Sequence, residues 1–239
     1  AEWKIAPKNI SGATINLGEA LTYKGLEQTQ TVTSVTVDGL DVTYTVSDNR
    51  QTDAGTYTLT VTGTGNFTGT ATKDWTIAPK DISNAIITLG EALTYNGQEQ
   101  TQSIASVKVD GLEVTYDVTD NTGTNAGSYK MTLTGNGNFT GETTKDWSIA
   151  PKNIRDASIT LKKDPQTYTG QMLTNSVTDV TVDNLHLGNG DYTVSGKTEA
   201  TDVGNYTLTV TGKGNFEGTK SEKFTINKAD LTLNDKTLS

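Results

Sequence analysis

The fold is decided by residues 52–69, which read TDAGTYTLTVTGTGNFTG. Closely similar stretches return at residues 125–141 and 202–218. The shared phenylalanine steps by 72 residues from Phe67 to Phe139 and by 77 residues from Phe139 to Phe216. A recurrence at this spacing predicts an array of similar small units in place of one large globule.

Apolar and polar residues alternate along each unit with a period of two. Tyr57, Leu59 and Val61 are separated by single threonines, and residues 40–46 alternate in the same way. Strict alternation predicts strands with one buried face, and β-branched threonine suits the exposed face of a strand. No segment shows a convincing helical period, so the sequence predicts an all-β protein.

Dipeptides typical of tight turns join several of these strands. Asp38-Gly39, and Asp110-Gly111 one unit later, favour a two-residue hairpin turn because both residues tolerate positive φ. In the first unit such a turn places Val35, Val37, Leu40 and Val42 on one face. The third unit has residues 183–191 instead, where the sequence predicts a longer and looser hairpin end.

The spacing divides the chain into domains. We predict repeats at residues 8–79, 80–151 and 152–228, the last being divergent. Residues 1–7 are interpreted as the end of a preceding repeat, with 1–5 as its last strand, and 229–239 as the start of a following repeat, with 230–233 as its first strand. Ile-Ala-Pro-Lys at Pro7, Pro79 and Pro151 predicts short stiff joints, since proline fixes φ and keeps the preceding residue extended.

A family resemblance rests on these same segments. Residues 53–57 resemble the tyrosine corner of immunoglobulin-like sandwiches, in which the tyrosine hydroxyl bonds to backbone upstream. With Tyr23-Lys24-Gly25, residues 65–69 and Trp75, the unit is similar to bacterial immunoglobulin-like cell-surface tandem repeats, including MBG domains. The resemblance implies three tandem small immunoglobulin-like β-sandwich domains, which the short joints would string into an elongated rod. A small β-grasp fold is the alternative, because the unit is short and lacks a cysteine pair.

Composition narrows the function classes. The chain of 239 residues has a net charge of -9 and no cysteine. An acidic chain is a poor partner for nucleic acid, and the absence of cysteine leaves no disulfide framework or thiolate metal site. No apolar run is long enough for membrane insertion in this segment.

Four candidate sites were weighed, and none is predicted to be functional. His186 is the only histidine, so neither a multi-histidine metal site nor a triad is expected. The glycine-rich residues 63–69 lack the following helix that a phosphate-binding loop needs, so we predict a hairpin turn. Residues 120–125 carry oxygen ligands but not the spacing of a calcium loop, and turn chemistry is favoured. Trp3, Trp75 and Trp147 are predicted to be core residues and not sugar-stacking platforms.

A covalent alternative concerns two sets of recurring residues. Some Gram-positive surface sandwiches join a buried lysine to an asparagine through an isopeptide bond. Here the candidates are the lysines Lys8, Lys80 and Lys152 and the asparagines Asn66, Asn138 and Asn215. Nothing in the sequence places a lysine, an asparagine and an acid in one core, so no bond is predicted. We therefore predict no catalytic, cofactor-binding or metal-binding residue and no cofactor.

The resemblance implies a function without chemistry. Such repeats serve as spacers, so we expect a non-catalytic extracellular stalk of a bacterial surface protein, attached to the cell surface or wall. Its expected partners are neighbouring repeats of the same chain. The first alternative is an adhesin or carbohydrate-binding region that contacts a host or polysaccharide ligand directly. A filament subunit is less favoured, because the two ragged ends together do not complete one domain, and an enzyme is least favoured.

Overall fold

The structure, a computed structural model, describes residues 2–230. Within this range every regular element is a β-strand, as the alternating pattern predicts. No helix in this part of the chain is long and apolar enough to cross a membrane. The all-β prediction is therefore confirmed.

Each repeat shows the same succession of strands. In the first repeat these are β1 Lys8–Asn9, β2 Thr14–Leu17, β3 Leu21–Thr22, β4 Gln28–Thr29, β5 Val32–Val37, β6 Leu40–Asp41, β7 Tyr44–Ser47, β8 Arg50–Gln51, β9 Gly55–Gly63, β10 Phe67–Thr68 and β11 Thr70–Ala78. In the second they are β12 Lys80–Asp81, β13 Ile86–Leu89, β14 Leu93–Thr94, β15 Gln100–Thr101, β16 Ile104–Val109, β17 Leu112–Glu113, β18 Tyr116–Thr119, β19 Thr122–Gly123, β20 Gly127–Gly135, β21 Phe139–Thr140 and β22 Glu142–Ala150. In the third they are β23 Lys152–Asn153, β24 Ser158–Leu161, β25 Gln166–Thr167, β26 Leu173–Thr174, β27 Val177–Val182, β28 Leu185–His186, β29 Tyr192–Gly196, β30 Glu199–Ala200, β31 Gly204–Gly212, β32 Phe216–Glu217 and β33 Thr219–Asn227.

Two facing sheets enclose the core of the first repeat. One sheet has the order β3-β11-β9-β7, and the other has the order β2-β5-β6. Strand β3 runs parallel to β11, whereas the other neighbours in both sheets are antiparallel. Val35 from one sheet and Leu59 and Trp75 from the other belong to one buried cluster. This arrangement is a small immunoglobulin-like β-sandwich, and with no helix among residues 2–230 it is not a β-grasp fold.

The other two repeats follow the same plan. In the third repeat the sheets are β25-β33-β31-β29 and β24-β27-β28, and Val180, Leu208 and Val210 lie in its core. In the second repeat β13, β16 and β17 form one sheet, β14 pairs with β22, and β18 pairs with β20. Each fully buried leucine or valine contributes about 1.5–3 kcal/mol to the stability of the fold. Because the buried pattern recurs along the chain, the same kind of core recurs with it.

The predicted two-residue turns are present in the first two repeats. Asp38 and Gly39 have φ values of 48° and 76°, and Val37 pairs with Leu40 across them. The same pairing forms across Asp110 and Gly111. Val35, Val37 and Val42 are buried as predicted, but Leu40 is 54% exposed.

The prediction of a looser hairpin end in the third repeat is wrong. Asp183 and Asn184 have φ values of 47° and 65°, and Val182 still pairs with Leu185. Asparagine replaces glycine in the turn because it adopts the left-handed conformation more readily than most side chains. The additional residues form a separate bend, in which the Asp191 side chain accepts a hydrogen bond of 2.8 Å from the backbone of Gly188.

All three repeats contain the predicted tyrosine corner. The hydroxyls of Tyr57, Tyr129 and Tyr206 each donate to the backbone carbonyl four residues upstream, at 2.8, 2.6 and 2.8 Å respectively. The first two rings also pack against Trp75 and Trp147. The corner therefore fixes the turn at residues 53–55 and its equivalents to the core strand that follows.

The first residues of the described chain differ from the prediction. Trp75 and Trp147 are core residues, but Trp3 is 96% exposed, and residues 2–7 form no strand. Trp75 is buried on a strand that pairs with β9, opposite Tyr57. Residues 2–5 of the predicted strand at residues 1–5 are not in a strand, and the predicted burial of Trp3 does not occur, because no strand of the described residues pairs with this segment. At the other end, the strand predicted at residues 230–233 lies, after Asp230, outside the described residues.

A buried glutamine joins two short strands in each of the end repeats. Nε2 of Gln28 on β4 donates to the carbonyl oxygen of Thr22 on β3, at 3.1 Å. In the third repeat Nε2 of Gln166 on β25 donates to the carbonyl oxygen of Thr174 on β26, at 3.3 Å. The glutamine has thus changed strands while the amide-to-carbonyl link remains, because a buried amide needs a partner on whichever strand carries it.

Residue contacts group the chain into two compact units. The first contains residues up to 89, 104–120 and 130–145. The second contains residues 90–103, 121–129 and those from 146 onward. The middle repeat therefore contributes to both units, and the domain boundaries given by the 72-residue spacing stay predictions.

Replacing Asn184 with alanine is expected to destabilise the third repeat by about 1–2 kcal/mol, because alanine is strained at positive φ. Asn184→Gly is the matched control and should leave the turn intact, since glycine has no Cβ. Differential scanning calorimetry of the whole chain measures both variants. An Asn184→Ala transition that coincides with that of the parent chain would contradict this account of the turn.

Candidate functional site: the joint between repeats

His186 lies on strand β28, at the surface of the third repeat. Its Nδ1 is 3.1 Å from Oδ1 of Asp179, and the imidazole is exposed. Among residues 2–230 no three histidine, aspartate or glutamate side chains converge in a way that could hold a metal ion. His186 therefore has the position of an exposed cross-strand partner.

The oxygen-rich residues 120–125 point to different places. Oδ2 of Asp120 accepts a hydrogen bond of 3.2 Å from the hydroxyl of Thr119. Nδ2 of Asn121 donates to the carbonyl of Gln102 at 3.4 Å, and Oδ1 of Asn125 accepts from Nδ2 of Asn215 at 3.0 Å. These residues therefore stabilise their own repeat and contact the following one through Asn125.

The isopeptide candidates of the second repeat, Lys80 and Asn138, have separate partners. Nζ of Lys80 forms an ion pair with the Asp110 side chain in the hairpin turn, and Lys8 and Lys152 do the same with their equivalent aspartates. The amide of Asn138 bonds to the preceding repeat instead. The two side chains therefore do not meet in a buried core, as an isopeptide bond requires.

The glycine-rich residues 63–69 form the predicted hairpin turn. The backbone N–H of Gly63 donates to the carbonyl of Gly69 at 3.0 Å, and strand β11 follows directly. Within this turn Phe67 forms strand β10 and pairs with Lys8 of the same repeat. The turn therefore presents Asn66 and Phe67 at the end of the sandwich, which matters for the joint.

Two surfaces meet wherever one repeat follows another. We call the surface that meets the following repeat the C-face; in the first repeat it comprises Tyr23, Gly25, Asp53 and Ala54. We call the surface that meets the preceding repeat the N-face; in the second repeat it comprises Leu112, Asn138 and Phe139. The joint between the first and second repeats lies within the first compact unit, and the joint between the second and third within the second unit.

Asn138 bridges the first joint with both ends of its amide. Its Oδ1 accepts a hydrogen bond of 2.7 Å from the backbone N–H of Ala54. Its Nδ2 donates a hydrogen bond of 2.9 Å to Oδ1 of Asp53. Because the amide carries both a donor and an acceptor, one side chain satisfies two groups of the neighbouring turn.

Asn215 makes the same bridge in the second joint. Its Oδ1 accepts from the N–H of Ala126 at 2.7 Å, and its Nδ2 donates to Oδ1 of Asn125 at 3.0 Å. The acceptor is a carboxylate in one joint and a neutral amide in the other. The bridge therefore needs an oxygen acceptor at this position, and a negative charge is not required.

Aromatic and aliphatic contacts accompany each bridge. Tyr23 packs edge-on against Phe139 with ring centroids 5.4 Å apart, and Tyr95 packs against Phe216 at the same distance. Such edge-to-face pairs contribute about 0.5–1.5 kcal/mol beyond the area they bury. The joint thus combines directional hydrogen bonds with a small apolar contact.

A glycine makes room for the leucine at the tip of the next hairpin. A Cβ at Gly25 would lie 2.8 Å from Cδ2 of Leu112, and one at Gly97 would lie 2.9 Å from Cδ2 of Leu185. Both glycines also have positive φ, at 75° and 78°. Side chains at these positions would both strain the backbone and push the leucine away.

A polar groove runs beside the first joint. It has a volume of about 420 Å³ and is lined by residues that include Pro79, Lys80, Asp81 and Asp110. Lys80 is paired with Asp110, and hydrogen bonds from the side chain and backbone of Ser83 lower the pKa of Asp81. The charges of the groove are therefore engaged within the repeat.

The sequence predicted neighbouring repeats as partners but not how they meet. The sequence did not indicate that Asn138 contacts the preceding repeat, because its partners lie 84 and 85 residues away. The available signal was the fixed recurrence of asparagine before phenylalanine, together with Tyr-x-Gly in each repeat. Only the folded structure shows that these two recurring motifs meet at the joint.

Asn138→Ala is expected to lower the stability of the joined first and second repeats by about 1–2 kcal/mol. The substitution removes two hydrogen bonds between the repeats, one of them to a carboxylate. Asn66→Ala is the matched control. It makes the same change in the same turn of the first repeat, where the described chain has no preceding repeat. Calorimetry of the whole chain should show a shift for Asn138→Ala alone, and equal shifts would contradict the bridge.

Comparisons with known proteins place the repeats in a family. The family model described as "MBG domain" matches residues 13–81, 85–153 and 157–230. No curated protein matches the chain. Among solved structures, the three N-terminal domains of the highly immunogenic outer capsid protein (Hoc) of bacteriophage RB49 are 13% identical, with 91% of this chain and 99% of that chain covered and a TM-score of 0.31.

A second solved structure is SGBP-B of the Bacteroides ovatus mixed-linkage glucan utilization locus, in complex with a mixed-linkage heptasaccharide. It is 15% identical, with 94% of this chain and 69% of that chain covered and a TM-score of 0.17. Structural likenesses this low carry no argument about the present chain. The family matches, by contrast, cover most of it and confirm the resemblance seen in its motifs. The chain belongs to the MBG domain family and contains three tandem members of it.

Proposed function

We propose that these MBG repeats are a non-catalytic extracellular spacer of a bacterial surface protein, which holds a functional part away from the cell. The observation that carries the proposal is the asparagine bridge, which occurs with the same geometry in both joints. A spacer works only if successive repeats keep a fixed relation to each other. Contacts that repeat along the chain supply that relation.

The covalent link supports the same function. Only Pro79 separates the last strand of the first repeat, β11, from the first strand of the second, β12. Domains joined by a small polar interface move relative to each other unless something limits them. Here a proline with fixed φ, the amide bridge and the Tyr23–Phe139 contact all act on one joint.

The positions of the titratable groups support the proposed absence of catalysis. Lys80, Asp110 and Asp81 are engaged within the repeat, and His186 faces Asp179 at an exposed strand. Acid–base catalysis needs such groups to converge on one reacting atom. Their dispersal over separate surfaces favours a structural role for the segment.

Direct binding to a host or polysaccharide ligand was the alternative predicted from the sequence. Sugar binding by stacking would need exposed aromatic rings on the repeats. Trp75 and Trp147 are buried in their sandwiches, and the half-buried Tyr23 and Tyr95 contact phenylalanines of the next repeat. The exposed rings among the described residues are Trp3, which precedes the first repeat, and Tyr168 of the third repeat. No specific contact therefore favours this alternative over the spacer.

The spacer proposal predicts a narrow distance distribution between spin labels on neighbouring repeats. The chain has no cysteine, so Thr72→Cys and Thr144→Cys introduce unique labels at equivalent exposed positions of β11 and β22. Double electron–electron resonance measures the distribution. With Tyr23→Ala and Asn138→Ala added it should broaden, because the joint loses its ring contact and its bridge.

The matched control disrupts the other joint. Tyr95→Ala with Asn215→Ala makes the same changes between the second and third repeats, so the distribution across the first joint should stay narrow. A distribution in the parent chain as broad as in the Tyr23→Ala and Asn138→Ala variant would contradict the spacer function.

A further inference from the structure

The second repeat carries an asparagine directly before the glycine of its C-face. Asn96 precedes Gly97, whereas Lys24 precedes Gly25 in the first repeat. The backbone nitrogen that follows an asparagine can attack the side-chain amide, and glycine hinders this attack least because it has no Cβ. Asn96 is exposed, so solvent reaches its amide. The C-face of the second repeat therefore contains a pair of residues with covalent reactivity of its own.

The turn around Asn96 favours this attack. Oδ1 of Asn96 accepts a hydrogen bond of 2.9 Å from the backbone N–H of Gln98. This bond holds the side chain against the peptide that follows, as in an Asx turn, and so keeps Cγ close to the nitrogen of Gly97. The same N–H stabilises the negative charge that develops on Oδ1 during the attack. The N–H of Gly97 donates to no described group and is free to react.

Two other asparagines have the same side-chain hydrogen bond but a different neighbour. Oδ1 of Asn9 and Oδ1 of Asn153 each accept from the backbone N–H two residues further on, at 2.8 and 2.9 Å. The residue that follows them is a fully buried isoleucine, Ile10 or Ile154. The N–H of each isoleucine already donates to a backbone carbonyl, at 3.0 and 2.9 Å. The attacking nitrogen is therefore both hindered and engaged at these two positions.

Two further asparagines precede glycine but lack the side-chain hydrogen bond. Nδ2 of Asn136 donates to Oδ2 of Asp117 at 3.0 Å, which ties the amide to a neighbouring strand. Asn189 lies in the additional bend of the third repeat, and no described backbone N–H donates to its Oδ1. Together with the pair followed by isoleucine, these are the four comparison asparagines. Among residues 2–230, Asn96 alone combines the following glycine with the hydrogen bond to Oδ1.

We propose that Asn96 converts spontaneously to an isoaspartyl residue, and that this conversion weakens the joint between the second and third repeats. The Gly97 nitrogen bonds to Cγ of Asn96, and its proton passes through water to Nδ2, which leaves as ammonia. Water then opens the cyclic imide at one of its two carbonyl groups. Opening at Cγ gives aspartate, whereas opening at the backbone carbonyl leaves the chain running through Cβ and Cγ. The proposal rests on the contacts of this joint and not on the spacer function.

An isoaspartyl residue displaces the glycine that follows it, because it adds one carbon to the backbone. The joint has no space for such a shift, since a Cβ at Gly97 would already lie 2.9 Å from Cδ2 of Leu185. On the other side of the modified residue, Tyr95 packs against Phe216 with ring centroids 5.4 Å apart. Conversion should therefore separate both contacts and open the asparagine bridge of this joint to water. The first joint has lysine at the reactive position and should not change.

Peptide mapping by mass spectrometry follows the conversion in protein that is aged at mildly basic pH. The modified residue gains the mass difference between a hydroxyl and an amino group, and chromatography separates isoaspartyl from aspartyl peptides. Asn96 should convert at least about tenfold faster than each comparison asparagine, as expected for one aligned donor and an unhindered nitrogen. A comparison asparagine that converts as fast as Asn96 would overturn the proposal.

Amide hydrogen exchange measures the effect on the joint. In the isoaspartyl fraction the N–H of Ala126, which donates to Asn215, should exchange about fivefold or more faster than in fresh protein. The N–H of Ala54 in the first joint should exchange as before. Unchanged exchange at Ala126 would contradict the proposal, and so would an equal loss of protection at Ala54.

Two variants separate the longer backbone from the change of charge. Asn96→Asp introduces the carboxylate without the additional carbon, so fresh protein should keep the protection of Ala126. Asn96→Lys copies the first repeat and should keep this protection on ageing. Loss of protection in fresh Asn96→Asp would show that charge alone weakens the joint, and its loss in aged Asn96→Lys would show that another residue is responsible. Either result would overturn the proposal.

Discussion

One asparagine amide at each joint holds the neighbouring turn of the preceding repeat. The turn offers one backbone N–H and one side-chain oxygen, and the amide matches them with its own oxygen and nitrogen. The tyrosine corner keeps this turn in place, because the Tyr57 hydroxyl donates a hydrogen bond to the backbone carbonyl of Asp53. The core strand, the corner and the joint thus form one continuous chain of contacts.

Small sandwiches benefit from neighbours because their cores are thin. A unit of roughly this size buries only about 60% of the surface of its unfolded chain. In this array the following repeat covers the tyrosine of the C-face, and the preceding repeat completes the burial of Phe139. The free energy of unfolding then depends on the intrinsic stability of each repeat and on the contacts between neighbouring repeats, as in other repeat proteins.

The sequence predicts most of what is local. Alternation predicts the strands, Asp38-Gly39 predicts its turn, and residues 53–57 predict the corner, because each depends on residues close together in the chain. Asn184 was misjudged because its left-handed conformation is less obvious than that of glycine. Trp3 was misjudged because its segment pairs with no strand of the described residues. The joint could not be predicted, since Asn138 and Asp53 meet only after both repeats have folded.

Amide hydrogen exchange at three equivalent residues tests the joint most directly. The N–H groups of Ala54 and Ala126 donate to asparagines of the next repeat, whereas Val203 holds the same position without a following described repeat. In dilute protein, Ala54 and Ala126 should exchange about fivefold or more slowly than Val203, after correction for intrinsic rates, because a net hydrogen bond is worth about 1 kcal/mol or more. Equal protection at all three positions would contradict the account.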